Sequence, residues 1–179
     1  MAPDLKLGKG ITLVVAKSKN YLTANHEILE YILKGKKNYC VYLSLNKSAA
    51  TIQKSLESKG GSLDKIILID CVTKLASSKV ERSGNIIFVD SPENLTEIGI
   101  VVEGAANSVK GKPTYLFLDS VSTLLLYSKA QTVTKFIHFL TALIRDLDMS
   151  GVILSVEEKG ENEQVVSTIS QFCDARLDI

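Results

Sequence analysis

A stretch that has the place of a phosphate-binding loop begins at the end of the first apolar run of this chain. Residues 16–23, AKSKNYLT, have the position and length of a phosphate-binding loop between a strand and a helix. Such a loop needs glycines whose backbone amides face the phosphates, a lysine that reaches the outer phosphates, and a hydroxyl that holds Mg²⁺. Ala16 stands at the first glycine position, and Tyr21 and Leu22 replace the second glycine and the lysine. Thr23 alone is of the required type, so the match is to place and length only.

We expect this loop not to bind a triphosphate. The side chain of Tyr21 resists the positive φ that glycine supplies, and its ring fills space that the phosphates need. Lys17 and Lys19 could still draw an anion to the free amides of the following helix. The alternative, which we favour, is that they are two solvated lysines in a strand-to-helix turn.

A second candidate follows the apolar run YLFLDS, where Asp119 and Ser120 end a predicted strand. A carboxylate at this place can organise Mg²⁺ beside a bound nucleotide, but Asp and Ser also cap helices, and capping is the role we expect. The predicted nucleotide-binding residues, as a vestigial site, are Lys17, Lys19, Thr23 and Asp119. No catalytic residue, no metal and no cofactor are predicted.

Short apolar runs of strand length alternate with longer helical patterns along the chain. Because these runs are continuously apolar, they are typical of strands buried on both faces. Strands are predicted over 11–16, 38–45, 65–70, 85–90, 114–120, 151–157 and 173–179, and helices over 22–35, 48–59, 94–109 and 131–149. This alternation predicts an α/β fold with a mostly parallel sheet, as a single domain over residues 1–179. Residues 73–85 are expected to form a surface loop or a short extra element.

The composition and net charge limit the classes of protein to which this chain can belong. The chain has 179 residues, is 45% hydrophobic and carries a net charge of +1, which gives no general attraction to nucleic acid. The polar start and the lack of an apolar run near the roughly 18 residues of a membrane span predict a cytoplasmic protein with no membrane partner. The scattered cysteines, Cys40, Cys71 and Cys173, are typical of buried reduced thiols.

The order and spacing of these segments resemble the RecA-type ATPases, closest to the KaiC branch, which includes clock proteins and many archaeal relatives. YCVYLSL followed by NKSAATIQKSLESKG resembles the second strand and helix of that family, and YLFLDSVSTLLLY resembles its Walker B strand. GVILSVEEKGENEQVVSTISQFCDARLDI resembles its closing portion. The resemblance covers nearly the whole chain and implies a three-layer α/β/α RecA-like fold of the P-loop NTPase type.

The same resemblance argues against the activity of the family. In the family, paired glutamates normally follow the second strand and activate the attacking water, and here these positions are Asn46 and Lys47. Asn46 lacks a carboxylate that could accept a proton, and Lys47 adds a charge of the wrong sign for Mg²⁺. With the phosphate loop also replaced, two independent features of ATP hydrolysis are missing.

We therefore expect a catalytically inactive RecA/KaiC-like domain that acts as a protein-binding or regulatory module, with an active ATPase relative or with itself. One alternative is a weak or atypical nucleotide-binding ATPase that uses the candidate residues named above. A second is a DNA-associated, recombinase-like accessory protein with a local patch of Lys34, Lys36 and Lys37, which the neutral net charge makes a poorer fit. The acidic stretch 157–163 could hold a divalent ion with Asp119, or could simply be solvated.

Overall fold

Seven parallel strands form one sheet whose order is β4-β3-β2-β5-β6-β1-β7. The computed structural model describes residues 7–77, 80, 83–157 and 159–179, apart from the side chain of residue 161. The strands are β1 Ile11–Ala16, β2 Tyr39–Ser44, β3 Ile66–Asp70, β4 Ile86–Phe88, β5 Thr114–Asp119, β6 Ser150–Val156 and β7 Ala175–Asp178. The helices are α1 Tyr21–Lys34, α2 Ala49–Glu57, α3 Thr73–Ala76, α4 Leu95–Ser108, α5 Val121–Tyr127, α6 Ala130–Asp146 and α7 Glu161–Ser170.

Helices cover both faces of the sheet, which confirms the predicted three-layer α/β/α class. Helices α1 and α2 pack on one face, and α4 to α7 pack on the other. The central strands are mostly apolar because both of their faces are buried; all six residues of β1 are buried. No helix within the described ranges is long and apolar enough to cross a bilayer.

Most predicted elements are found with shifted ends, and the largest differences lie at one edge of the sheet. The strand predicted over 85–90 shortens to the edge strand Ile86–Phe88, whose residues are half-buried. Within 73–85, the chain forms the short helix Thr73–Ala76. Residues 78, 79, 81 and 82 of that stretch lie outside the described part. An edge strand forms hydrogen bonds with one neighbouring strand only, so an apolar run at the edge can be longer than the strand that pairs with the sheet.

The free cysteines are mostly buried. Cys40 and Cys71 lie in the core, and Cys173 is half-buried. Burial raises the pKa of all three thiols, that of Cys173 to about 11. A thiol with a raised pKa is protonated near neutral pH and reacts slowly as a nucleophile.

Asp174 ties the start of β7 to the start of β1. Its carboxylate accepts a hydrogen bond of 2.7 Å from the backbone amide of Ile11 and one of 3.3 Å from Nη2 of Arg145. The hydrogen bond from the Ile11 amide lowers the pKa of this carboxyl below its usual range, and Arg145 contributes a smaller effect in the same direction. Charge-assisted bonds of this kind stabilise a fold, although the half-exposed side chain reduces the effect.

We expect Asp174→Ala to lower the free energy of unfolding at pH 7 by about 1 kcal/mol. Because the pKa of Asp174 is lowered in the folded protein, its contribution is present above the unfolded pKa of about 3.9 and is lost as the pH falls. Urea unfolding of both proteins at pH 7, 5 and 3 measures this difference. Asp146→Ala, at an exposed end of α6, is the control. An Asp174→Ala deficit that stays constant down to pH 3 would contradict the assignment.

Candidate functional site

The carboxyl ends of β1, β2 and β5 lie around one open cleft of about 600 Å³. The chain leaves β1 through a short 3-10 turn, Ser18–Asn20, and enters α1 at Tyr21. Asn46 and Lys47 follow β2, and Ser120 follows β5. The cleft is lined by Ser18, Tyr21, Asn46, Lys47, Ser120, Ser122, Thr123, Leu126, Val156 and Glu157. This is the position in which open parallel sheets bind their ligands.

The carboxylate of Asp119 lies under this cleft and is fully buried. Its Oδ1 accepts a hydrogen bond from the hydroxyl of Tyr21. Its Oδ2 accepts bonds of 2.7 Å from Nδ2 of Asn25 and 2.9 Å from the hydroxyl of Tyr42. Tyr21 and Asn25 are four residues apart on α1 and so face the same side of that helix. Both oxygens of the carboxylate are therefore engaged by side chains of α1 and β2.

The pKa of Asp119 is raised overall, although its neighbours oppose the shift. Burial raises the pKa of Asp119, while the hydroxyls of Tyr21 and Tyr42 and the charge of Lys47 oppose that shift. Burial, followed by the charge of Asp119, raises the pKa of both tyrosines. Both phenols are therefore neutral donors near neutral pH. Neutral donors stabilise the carboxylate here in the role that a metal ion has in an active nucleotide site.

Asn46 and Lys47 extend the network outward to the cleft surface. Nδ2 of Asn46 donates to the hydroxyl of Tyr21 at 2.8 Å and to Oγ of Ser120 at 3.3 Å, and its Oδ1 accepts from the hydroxyl of Thr123. Nζ of Lys47 donates to Oδ1 of Asn25 at 3.2 Å and lies 5.5 Å from the ring centroid of Tyr21. Asn46 and Lys47, at the two positions where the resemblance led us to expect glutamates, thus both contact Tyr21.

The buried polar atoms of these side chains all have hydrogen-bond partners. Every buried side-chain nitrogen and oxygen of the described residues has a hydrogen-bond partner. Each hydrogen bond to the buried carboxylate stabilises the ordered arrangement of these side chains, because a buried polar group without a partner is costly in free energy. Tyr21, Asn25, Tyr42, Asn46, Lys47 and Asp119 together are called the Asp119 network below.

The expectation that Asp119 and Ser120 cap the following helix is wrong. Ser120 occupies the N-cap position of α5, but its side chain makes no cap hydrogen bond and lies 3.2 Å from the hydroxyl of Thr123. The carboxylate of Asp119 is directed to α1 and β2, where buried side-chain donors compensate its charge.

Of the four residues predicted for a vestigial nucleotide site, only Asp119 belongs to this network. Lys17, Lys19 and Thr23 are exposed, and none of their side chains donates to the network among the described residues. Lys17 instead lines a separate cavity of about 390 Å³ beside β7, with Arg176.

Two residues of the network were missed from the sequence, Asn25 and Tyr42. Asn25 is a polar residue at a buried position of α1, four residues after Tyr21. Tyr42 carries a hydroxyl in the middle of a buried strand, where such a group needs a partner. Both are local signals that a buried acceptor lies nearby.

The acidic stretch 157–163 is only partly described. Glu157 lines the cleft and is exposed, while Glu158 and the side chain of Glu161 lie outside the described part. Among the described residues, no three His, Cys, Asp or Glu side chains are grouped so that they could hold a metal ion.

Comparison with known proteins identifies the family of this chain. Residues 15–179 match the profile of a family of unknown function, DUF7504. The chain belongs to this family. No curated protein matches it.

Two solved structures from Pyrococcus horikoshii have a similar fold. The uncharacterized protein PH0321, solved in complex with an unknown peptide, is 14% identical, with a TM-score of 0.70 over 97% of this chain and 78% of that one. The KaiC-like protein PH0186 is 12% identical, with a TM-score of 0.64 over 95% of this chain and 71% of that one. At these identities the likeness concerns the fold alone, and it confirms a RecA/KaiC-like fold for this member of DUF7504.

Proposed function

We propose that this member of DUF7504 is a catalytically inactive RecA/KaiC-like domain that acts as a protein-binding or regulatory module. The observation that carries the proposal is the Asp119 network. In it, the hydroxyl of Tyr21 is bonded to the carboxylate that a nucleotide-bound Mg²⁺ would need. A triphosphate would also need room and free amides at the turn that leads into Tyr21.

The energetics of the network oppose nucleotide binding. A magnesium ion at Asp119 would have to displace neutral donors that already satisfy a buried charge, among them Asn25 at 2.7 Å and Tyr42 at 2.9 Å. The groups that would recover that loss, a loop lysine and a second carboxylate, are replaced by Leu22 and Lys47. Hydrolysis would additionally need a general base, and Asn46 offers none.

Two considerations support a protein partner. The fold retains a complete buried core while the chemical site is occupied by its own side chains, so its surfaces remain available for recognition. The structurally similar PH0321 was solved with a peptide bound. The partner we propose is an active ATPase relative or a second copy of this chain.

One observation favours the alternative of weak nucleotide binding. The cleft above the network is open, and the ammonium of Lys47 and hydroxyl of Ser18 line it. A nucleotide lying above Tyr21 would use these groups without contacting Asp119.

The proposal is tested by phosphate release from ATP with excess Mg²⁺, at neutral pH and with the protein in large amounts. We expect a rate equal to that of the buffer blank. The Asn46→Ala/Lys47→Ala double variant is the control for a contaminating ATPase, because it removes cleft residues without touching a contaminant. Saturable phosphate release that this variant abolishes would overturn the proposal.

A further inference from the structure

A groove runs between α1 and α2 on the face of the sheet opposite α6. Two adjoining cavities of about 300 and 390 Å³ form it, and they share His26, Leu56 and Lys59. The groove extends along α1 from Leu22 to Leu33. At 1.5 Å per residue this is about 17 Å, or three helical turns.

The floor of the groove is apolar and one of its ends is uncovered. Leu29, Ile52 and Leu56 form the floor and also pack on the sheet, so their outer surfaces alone face the groove. Leu22, at the end nearest the cleft, is 65% exposed. An exposed leucine beside an apolar floor is a feature of surfaces that bind another chain.

The rim of the groove carries an excess of positive charge. Lys47 lies at the inner end, Lys59 lines both cavities, and Lys34 lies at the outer end. Lys34 pairs with Glu30 at 3.3 Å, whereas neither Lys47 nor Lys59 takes part in an ion pair among the residues that the structure describes. Three lysines against one glutamate therefore present net positive charge along an apolar floor.

We propose that this groove binds an acidic amphipathic segment of a partner protein. The segment would place apolar side chains one helical turn apart on the floor and carboxylates against Lys34, Lys47 and Lys59. This inference rests on the proposed function, since it names the surface and the partner chemistry of a protein-binding module.

A protein segment fits the groove better than a nucleic acid does. Single strands are bound by aromatic side chains that stack on bases, and among its described lining residues the groove presents no exposed Phe, Tyr or Trp; its one accessible aromatic ring is the half-buried imidazole of His26. Its cations are lysines without arginine, which lack the planar fork that binds phosphates in pairs. The apolar floor and the positively charged rim are together complementary to a helix that has leucines on one face and acidic residues on another.

The groove also reaches the Asp119 network. Lys47 lines the inner end of the groove as well as the cleft, and its Nζ is bonded to Asn25. A carboxylate that binds Lys47 would therefore contact the network directly.

The test is fluorescence anisotropy with a labelled helical peptide of about 14 residues, carrying leucines at i, i+3, i+4 and i+7 and glutamates elsewhere. The test variant is Lys34→Glu/Lys59→Glu. Its matched control is Lys129→Glu/Lys135→Glu, which has the same change in charge at exposed positions on or beside α6. Thermal unfolding of both variants checks that the fold is intact, and hydrogen exchange locates the bound peptide.

We expect saturable binding with protection of α1 and α2, weakened at least about tenfold in the test variant and unchanged in the control. The inference is overturned by no binding up to about 1 mM peptide, by equal loss in both variants, or by equal binding of a lysine-for-glutamate peptide. It is also overturned if an oligothymidylate binds more tightly and loses its binding in the test variant. ATP-dependent phosphate release by the same preparation would refute the proposed function, whereas absent peptide binding without that release refutes this inference alone.

Discussion

Asp119→Ala is expected to lower the free energy of unfolding by about 3 kcal/mol, the largest effect of any single substitution considered. The substitution leaves Tyr21, Asn25 and Tyr42 without their shared acceptor, and two of these side chains are buried. Unsatisfied buried donors lose the free energy of hydration with nothing in exchange. Chemical unfolding in urea at pH 7 measures the change.

The sign of this effect separates two roles for the aspartate. A carboxylate kept for Mg²⁺ is often a source of instability in the free protein, so removing it stabilises the fold. A carboxylate that organises a packed network stabilises the fold instead. Asp146→Ala, on the exposed end of α6, is the control and should change the free energy by less than about 0.5 kcal/mol. An Asp119→Ala protein as stable as the control would show that the network contributes nothing.

Tyr42→Phe is expected to lower the free energy of unfolding by about 2 kcal/mol. The ring is retained, so packing against Phe117, at 4.8 Å between ring centroids, is preserved. The lost hydroxyl donates to Asp119 at 2.9 Å and accepts from Asn25 at 2.9 Å. Hydrogen bonds to a buried charge contribute more than bonds between neutral groups.

Tyr127→Phe is the matched control for this substitution, because the Tyr127 side chain is exposed at the end of α5. It should change the free energy by less than about 0.5 kcal/mol. Equal destabilisation by the two substitutions would mean that the hydroxyl of Tyr42 has no special role. A double-mutant cycle of Tyr42→Phe with Asn25→Ala would then give no coupling energy, whereas the network predicts a positive one.

The fold was predictable because its signals are local. The apolar stripe predicted over 131–149 is found as the helix Ala130–Asp146, with its buried residues on one face. The continuous apolar run of residues 11–16 is found as β1, buried along its whole length. Burial on both faces of a sheet leaves a pattern in consecutive residues, and so the sequence alone indicates it.

The site was only partly predictable because its contacts are not local. The partners of Asp119 lie 98, 94 and 77 residues away in the chain, at Tyr21, Asn25 and Tyr42. Which side chains meet depends on the strand order, in which β2 and β5 are neighbours and β1 lies beyond β6. The sequence alone predicted no phosphate loop and no glutamate pair, but could not predict that Asn46 and Lys47 contact Tyr21.

An aspartate at position 119 therefore needs no nucleotide to explain its presence. Three neutral donors compensate its charge and connect α1, β2 and β5 at the carboxyl edge of the sheet. The turn after β1 has a structural role here, because Tyr21, which follows it, supplies one of the donors.

The most direct test of an inactive nucleotide site is a calorimetric titration of the purified protein with ATP and Mg²⁺ at neutral pH. We predict no heat of binding up to about 1 mM ATP, which corresponds to a binding free energy weaker than about −4 kcal/mol. Tyr21→Ala, which removes the ring and its hydroxyl, is titrated beside it, and we predict no binding there either, because Leu22 still replaces the loop lysine. Saturable binding of ATP by the unaltered protein would contradict the account.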